Sequence, residues 1–239
     1  MSHYFSENND KLKSNPQVIA FSVKNTPLKF NTDNGVFSKN NFDRGTEVLL
    51  KYYEFNENHK TCLDLGCGYG VIGIYLNLVH NLEVDMVDVN KRAVELAKSN
   101  VLLNNSKANV FYSDGLNEIT NKYDLIITNP PIRAGKEVIY RFFEDASKFL
   151  NENGEFFIVI NKKHGAESAL NKLNTIYKTV EVINKNKGFF VIKCENWLTI
   201  WQIYDIILNC QIRRFFTFFT CFYQNKWGDV CEFQFSAIR

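Results

Sequence analysis

No strong excess of either charge is present in this 239-residue chain: 28 basic side chains face 26 acidic ones, for a formal net charge of +2. Such balance excludes a protein that coats nucleic acid by charge alone, so any nucleic-acid substrate must be held by a local patch. An apolar leader is also lacking. Residues 1–15 are polar, which argues against a secretory signal. The six cysteines, at 62, 67, 194, 210, 221 and 231, form no CxxC pair. Together these absences predict reduced thiols in a cytoplasmic protein, with Cys62 and Cys67 as small packing residues. His59, His80 and His164 lack metal-ligand spacing, and no Ser–His or Cys–His dyad is visible, so no metal is expected. Internal repeats and low-complexity tracts are missing as well.

What remains is ordinary globular composition, 45% hydrophobic and 23% charged. This excludes collagen, simple disorder and a multi-span membrane protein. The length suits one large α/β domain, alone or with a small appendage. Asn25-Thr26-Pro27 reads as a turn within an extended stretch, and Asp33-Asn34-Gly35 as a second turn. Asp43 is placed to cap a helix from Arg44 through Tyr53. From residue 61 strands and helices alternate. Strands are expected at 61–65, 83–88, 108–112, 124–128 and 155–160, and helices at 71–79, 91–103, 137–150 and 165–173. In the third helix of the chain, 91–103, the buried face is read as Ala93, Val94, Leu96, Ala97, Val101 and Leu102. Asn153-Gly154 reads as the close of helix 137–150. Residues 178–183 and 189–193 read as a hairpin. The pattern predicts a doubly wound, mostly parallel seven-stranded sheet with helices on both faces and an antiparallel C-terminal hairpin.

Composition changes near residue 197. All three tryptophans and three of the six cysteines lie from there to the end, with many phenylalanines. Asp205, Arg213 and Arg214 make the stretch a poor membrane span. Three readings are open: an extra packed element, a membrane- or partner-facing appendage, or, as favoured here, a tail translated out of frame. The chain is thus divided into an N-terminal extension covering the active site (1–60), a core (61–194) and an atypical tail (195–239), non-native or poorly packed on the favoured reading.

Asp64-Leu65-Gly66-Cys67-Gly68-Tyr69-Gly70 follows a strand and opens a helix. Gly66 suits a tight turn and Gly68 lets a ligand approach the backbone. Asp88 ends the next strand about 20 residues on, where a carboxylate can accept both ribose hydroxyls. A plain turn with Asp88 as a helix cap is the bland alternative. A dinucleotide needs GxGxxG to set a pyrophosphate on the helix N-terminus, but this loop is GxGxG. Asp64 would repel a pyrophosphate and suits the cationic amino-acid end of S-adenosylmethionine. Ser113-Asp114 can accept from the adenine amine. S-adenosylmethionine is therefore the expected cofactor, and NAD a remote alternative.

Asn129-Pro130-Pro131-Ile132 stands at the end of strand 124–128. Methylating an exocyclic amine needs aim more than base strength, because the lone pair is delocalised into the ring. The Asn129 oxygen and the Pro130 carbonyl can each accept one amine hydrogen and turn the lone pair toward the methyl donor. A helix-stopping loop is the alternative reading of this segment.

Gly35-Val36-Phe37-Ser38, the run from Asp64 to Gly70 and the string from Asn129 to Lys136 together resemble the RsmC-type methyltransferases, which include ribosomal RNA small-subunit guanine-N2 methyltransferases. His3-Tyr4-Phe5-Ser6 and Lys163-His164-Gly165-Ala166 fit its short members, over residues 1–194. The resemblance implies Asp64, Gly66 and Gly68 along the methionine part of the cofactor, Asp88 at the ribose and Asp114 at the adenine. Asn129 and Pro130, with Pro131 and Ile132, would hold the target amine. Thr46 would touch the cofactor carboxylate and Phe37 would cover the site. Arg133 and Lys136 would meet RNA phosphates, unless they are simply a solvated helix start. Phe37 and Ile132 are candidates to stack on a flipped base. The implied partner is ribosomal RNA or the small ribosomal subunit. Larger members carry a second, N-terminal domain, for which only about 60 residues precede the first core strand here. Residues 161–193 hold seven lysines and two glutamates, a locally basic edge for RNA or an ordinary surface. The alternatives are a protein glutamine methyltransferase, an adenine-N6 methyltransferase, both disfavoured by Ile132 where Tyr is usual, and an inactive cofactor- or RNA-binding protein.

Overall fold

The computed structural model describes residues 12–196; the opening His3-Tyr4-Phe5-Ser6 and all but the first two residues of the tail expected at 195–239 lie outside the described residues, and Glu195 is the last residue of a core strand. The chain opens with a hairpin, β1 (Gln17–Val23) and β2 (Thr26–Thr32), followed by α1 (Arg44–Tyr52). The core then runs β3 (Thr61–Leu65), α2 (Val71–His80), β4 (Glu83–Asp88), α3 (Lys91–Leu103), β5 (Asn109–Tyr112), β6 (Tyr123–Thr128) and α4 (Lys136–Phe149). It finishes with β7 (Leu150–Asn161), α5 (Ala166–Leu173), β8 (Thr179–Asn186) and β9 (Phe189–Glu195).

Seven strands form one sheet in the order β5-β4-β3-β6-β7-β9-β8. The first five are parallel, and β9 is antiparallel to both β7 and β8, as the strand–helix alternation and the terminal hairpin predict. Because side chains alternate across a strand, each central strand feeds two cores. Along β3, Cys62 enters the layer under α1, α2 and α3, while Leu63 and Leu65 enter the layer under α4 and α5. Phe157 and Val159 of β7 join the first layer, and Phe156, Ile158 and Ile160 the second. Burial on both faces explains the unbroken apolar run of β7 at residues 156–160.

Four local readings are corrected. The first turn lies at Lys24 and Asn25, both left-handed (φ 43° and 72°), and Pro27 is already in β2 opposite Ser22. Two left-handed residues are what a two-residue hairpin loop requires. Helix α4 stops at Phe149 and runs straight into β7 through an extended Leu150. Asn153-Gly154 does not close that helix; it sits in a bulge of β7, between the pairs Tyr123–Leu150 and Leu125–Glu155. On α3, Leu102 is 78% exposed, Leu96 only partly buried, and Asn100 takes an inward position.

That buried asparagine docks the hairpin on the core. Asn100 accepts from Asn31 N (2.6 Å) and donates to Asn31 O (3.0 Å) and Tyr69 O (2.9 Å). One helical turn on, Asn104 does the same for the backbone of Lys29, at 3.1 and 2.7 Å. Residues four apart on a helix face one way, and residues two apart on a strand do likewise. Two amides therefore imitate a neighbouring strand along the open edge of β2.

Asn100→Ala should strip partners from buried backbone groups, at about 1–3 kcal/mol. That corresponds to a loss of several degrees in melting temperature for a chain of this size. Leu102→Ala should stay within about 0.5 kcal/mol of wild type, as for other exposed positions. Thermal unfolding of the two variants side by side checks both; equal losses would contradict the inward placement of Asn100.

Candidate active site

Strands β4 and β5 lie on one side of β3, and β6 and β7 on the other. The chain therefore leaves the middle of the sheet in opposite directions, and a crevice opens at the C-terminal ends of β3 and β6. A cleft of about 570 Å³ occupies this crevice. That volume is in the range of small-molecule sites. Its wall is built from the loops after four parallel strands: Gly66 and Gly68 after β3, Asp88 at the end of β4, Ser113 and Asp114 after β5, and Asn129, Pro130 and Pro131 after β6. Phe37, Phe42, Asp43 and Thr46 close it from the N-terminal side.

The glycine loop turns away from β3 with Gly66 N and Cys67 N both donating to Val87 O at 2.9 Å. Gly68 is left-handed (φ +56°), and a Cβ there would point into open space. Its backbone is thus bare toward the cleft and unsuited to a side chain on conformational grounds. Asp88 receives Gly68 N on Oδ2 and Asn90 N on Oδ1, each at 2.8 Å. It is at once a wall of the cleft and a brace for the turn before α3, whose N-cap is Asn90. Burial pushes its carboxyl up to about 6, against the pull of those N–H donors.

Asp64 is fully buried and does not line the cleft. Its Oδ2 accepts Gly73 N at 2.9 Å, serving the first turn of α2, whose N-cap Gly70 has no side chain to offer. Its Oδ1 is buried with no hydrogen-bond partner among the described residues. Burial lifts this carboxyl to about 7; the Gly73 bond lowers it and the Asp88 charge raises it. The Cys67 thiol is likewise driven up by burial, which leaves it unreactive.

Asn129 is held by its amide nitrogen. Nδ2 donates to Asp43 Oδ2 (2.8 Å) and to Thr46 Oγ1 (3.0 Å). A carboxylate only accepts, so the amide can face it in one orientation only, with both hydrogens engaged. What the side chain retains for the cleft is its acceptor oxygen. Asp43 Oδ2 also accepts Thr46 N at 2.8 Å, the expected N-cap of α1. Gly45 makes this crowding possible: a Cβ there would stand 3.0 Å from Asp43 Oδ2 and 3.2 Å from Asn129 Nδ2.

The other site residues separate into two groups. Phe37, 39% exposed, is part of the lining, as are Pro130 and Pro131. Ile132 does not line the cleft; it leans on the core under α4, and Ala134 and Val138 line instead. Arg133 and Lys136 are exposed beyond the cleft wall. Asp114 forms an ion pair with Arg141, a lining residue on α4 that sequence reasoning missed. The role of Asp43 beyond capping was missed too, although a glycine in the first turn of a helix is a signal of close approach.

Asp64 makes one contribution to the pH dependence of stability. Between its ordinary value of 3.8 and about 7 the folded chain keeps a proton that the unfolded chain releases. Stability from this group therefore falls as pH rises through that window and levels off above it. Asp64→Asn has no such proton, and its Oδ1 can still accept from Gly73. Its melting temperature should gain on wild type from pH 4 to pH 7 and stay higher above pH 7. Thermal scans across pH check this; a pH-independent difference would contradict it.

Residues 27–193 match the methyltransferase small domain family. The chain is 40% identical over 197 residues to the uncharacterized protein YbxB of Bacillus subtilis, covering 81% of this chain and 98% of that one. It is 33% identical over 183 residues to ribosomal RNA small subunit methyltransferase C of Psychromonas ingrahamii, covering 74% of this chain and 51% of that protein. Among solved structures it is similar to the 16S rRNA N2 methyltransferase RsmC of T. thermophilus, in complex with AdoMet and guanosine. There the TM-score is 0.70 at 25% identity, over 78% of this chain and 52% of that one. The chain thus spans about half the length of the ribosomal RNA methyltransferases it matches. The strand order, the crevice and the match across both place the chain beyond a general likeness of fold: it belongs to the methyltransferase small domain family.

Proposed function

We propose that the protein is an S-adenosylmethionine-dependent N-methyltransferase acting on an exocyclic amine, guanine N2 of small-subunit ribosomal RNA. The observation that carries this reading is the held amide of Asn129. Its oxygen is the group left for a ligand, in the cleft that also exposes the bare backbone of Gly68. The relatives named as ribosomal RNA methyltransferases, and the structure with AdoMet and guanosine, support the choice of cofactor and base.

The residues fit this cofactor. Gly66 and Gly68 would follow its amino-acid part, where a Cβ is missing on the cleft side. The unpartnered Asp64 Oδ1 stands behind the loop as an acceptor, and a cationic group bound in front of the loop would favour its charged form. Asp88 would take the ribose hydroxyls, since each carboxylate oxygen keeps a lone pair beyond its backbone N–H. Asp114, steadied by Arg141, would meet the adenine. Thr46 accepts from Asn129 and keeps its hydroxyl hydrogen for the cofactor carboxylate.

When bound, S-adenosylmethionine supplies an electrophilic methyl group on a sulfonium. Asn129 Oδ1 accepts one hydrogen of the target amine and the Pro130 carbonyl the other. Held this way, the nitrogen turns its lone pair out of conjugation with the ring. Rate comes from orientation and fixed acceptors, with no strong base. Phe37 at the rim stacks on the base. Lys162 and Lys163 follow β7 and Lys187 lies in the β8–β9 turn, at the same end of the sheet as Asn129, with Arg133 and Lys136 near Asn129 in sequence. They meet phosphates without reading sequence. No helix among the described residues is long and apolar enough to cross a membrane, and no metal-binding cluster occurs among them.

The test is methyl transfer from labelled S-adenosylmethionine to small ribosomal subunits, free RNA and total protein, followed by digestion to nucleosides. Label is expected in N2-methylguanosine; label in a protein or in adenosine would overturn the reading. Asn129→Ala should lower turnover about 100-fold or more while cofactor affinity stays within a few-fold. Asp88→Ala should weaken cofactor binding first, and calorimetry of both variants checks the division of roles.

A further inference from the structure

We propose that Asp43 is the positioning residue for Asn129, and that it sets which end of the Asn129 amide meets the substrate. This rests on the function proposed above. Without a partner, an asparagine amide can turn over and present either its oxygen or its NH2. An NH2 in the cleft would repel an amine, since both are donors. The carboxylate of Asp43 forbids that orientation, because it can only accept and stands 2.8 Å from Nδ2. Thr46 Oγ1, at 3.0 Å, is not enough by itself, since a hydroxyl can donate as readily as accept. Asp43 is in turn held by Thr46 N at 2.8 Å, so its own carboxylate is fixed by the first turn of α1. The charge adds a second effect. A carboxylate on the amide nitrogen polarises the amide and strengthens Oδ1 as an acceptor for an amine gaining positive charge in the transition state.

A helix cap and a positioning residue are separated by two substitutions. Asp43→Ser keeps a good N-cap but is too short to reach Asn129. Asp43→Asn keeps one acceptor oxygen and lacks the charge. The direct readout is the Asn129 side-chain amide in nitrogen-15 NMR, identified by its absence from Asn129→Ala. Both hydrogens should be slow to exchange with solvent in wild type. In Asp43→Ser they should exchange at least about tenfold faster, and turnover should fall about 10- to 100-fold with KM for the cofactor and melting temperature near wild type. Asp43→Asn should restore part of the protection and part of the turnover. Free exchange of the wild-type amide, or unchanged protection in Asp43→Ser, would overturn the proposal. So would a loss of turnover that only tracks lost stability. The NMR readout does not depend on turnover. If wild type methylates nothing, the proposed function fails, and amide protection still decides the role of Asp43.

Discussion

Parallel pairing of β3 with β6 is the constraint on which the rest of the site depends. Leu63 lies beside Ile126 and Asp64 beside Ile127, so both strands end at one level. The Thr128 hydroxyl donates to Leu65 O at 2.7 Å and locks that register at the last residues before the two loops. The glycine loop and the Asn-Pro-Pro segment are therefore set side by side by the sheet. A slip of one residue would turn Asp64 and Thr128 toward the opposite layers. Strong burial on both faces of β3 and β6 makes such a slip costly.

The site carries charge that the fold does not favour. Asp64 and Asp88 are both pushed up by burial, and Asp64 also by the charge of Asp88. Each is retained with backbone N–H donors on it, Gly73 for Asp64, and Gly68 and Asn90 for Asp88. These bonds offset part of the desolvation and couple the carboxylates to the starts of α2 and α3. A cationic or hydroxyl-bearing ligand would offset more. A carboxylate raised by burial in the wall of a cleft, with a second one buried behind it, is an arrangement found at functional sites.

The N-terminal segment is part of the site. The Asn100 and Asn104 amides dock β2, and Asn90 donates to Gly35 O at 2.8 Å, which draws the segment before α1 over the cleft. That segment delivers Phe37, Phe42 and Asp43 to the wall. The parallel core supplies the loops after its strands, and the hairpin and α1 supply the cover and the brace on Asn129.

Much of this was legible in the chain. A short, mostly apolar run before the glycines marked β3, a short strand ending in Asp88 marked β4, and a 3.6-residue period marked α3, because burial imposes such patterns locally. The glycine loop, Asp88 and Asn129 were legible because backbone geometry and acceptor chemistry restrict residue choice. The misplaced features have non-local causes. Leu102 fits the helical period but faces solvent, since β2 claims the neighbouring position through Asn100. Asn153-Gly154 carries a stop signal, but pairing with β6 absorbs it as a bulge. The sequence by itself determined the order of elements, the loop chemistry and the family to which they belong. Only the tertiary structure decided that Asp64 stands behind the loop instead of in the cleft, that Arg141 pairs with Asp114, and that Asp43 meets Asn129. Those are encounters between residues far apart in the chain, and side-chain reach across a folded sheet is not encoded in any local period.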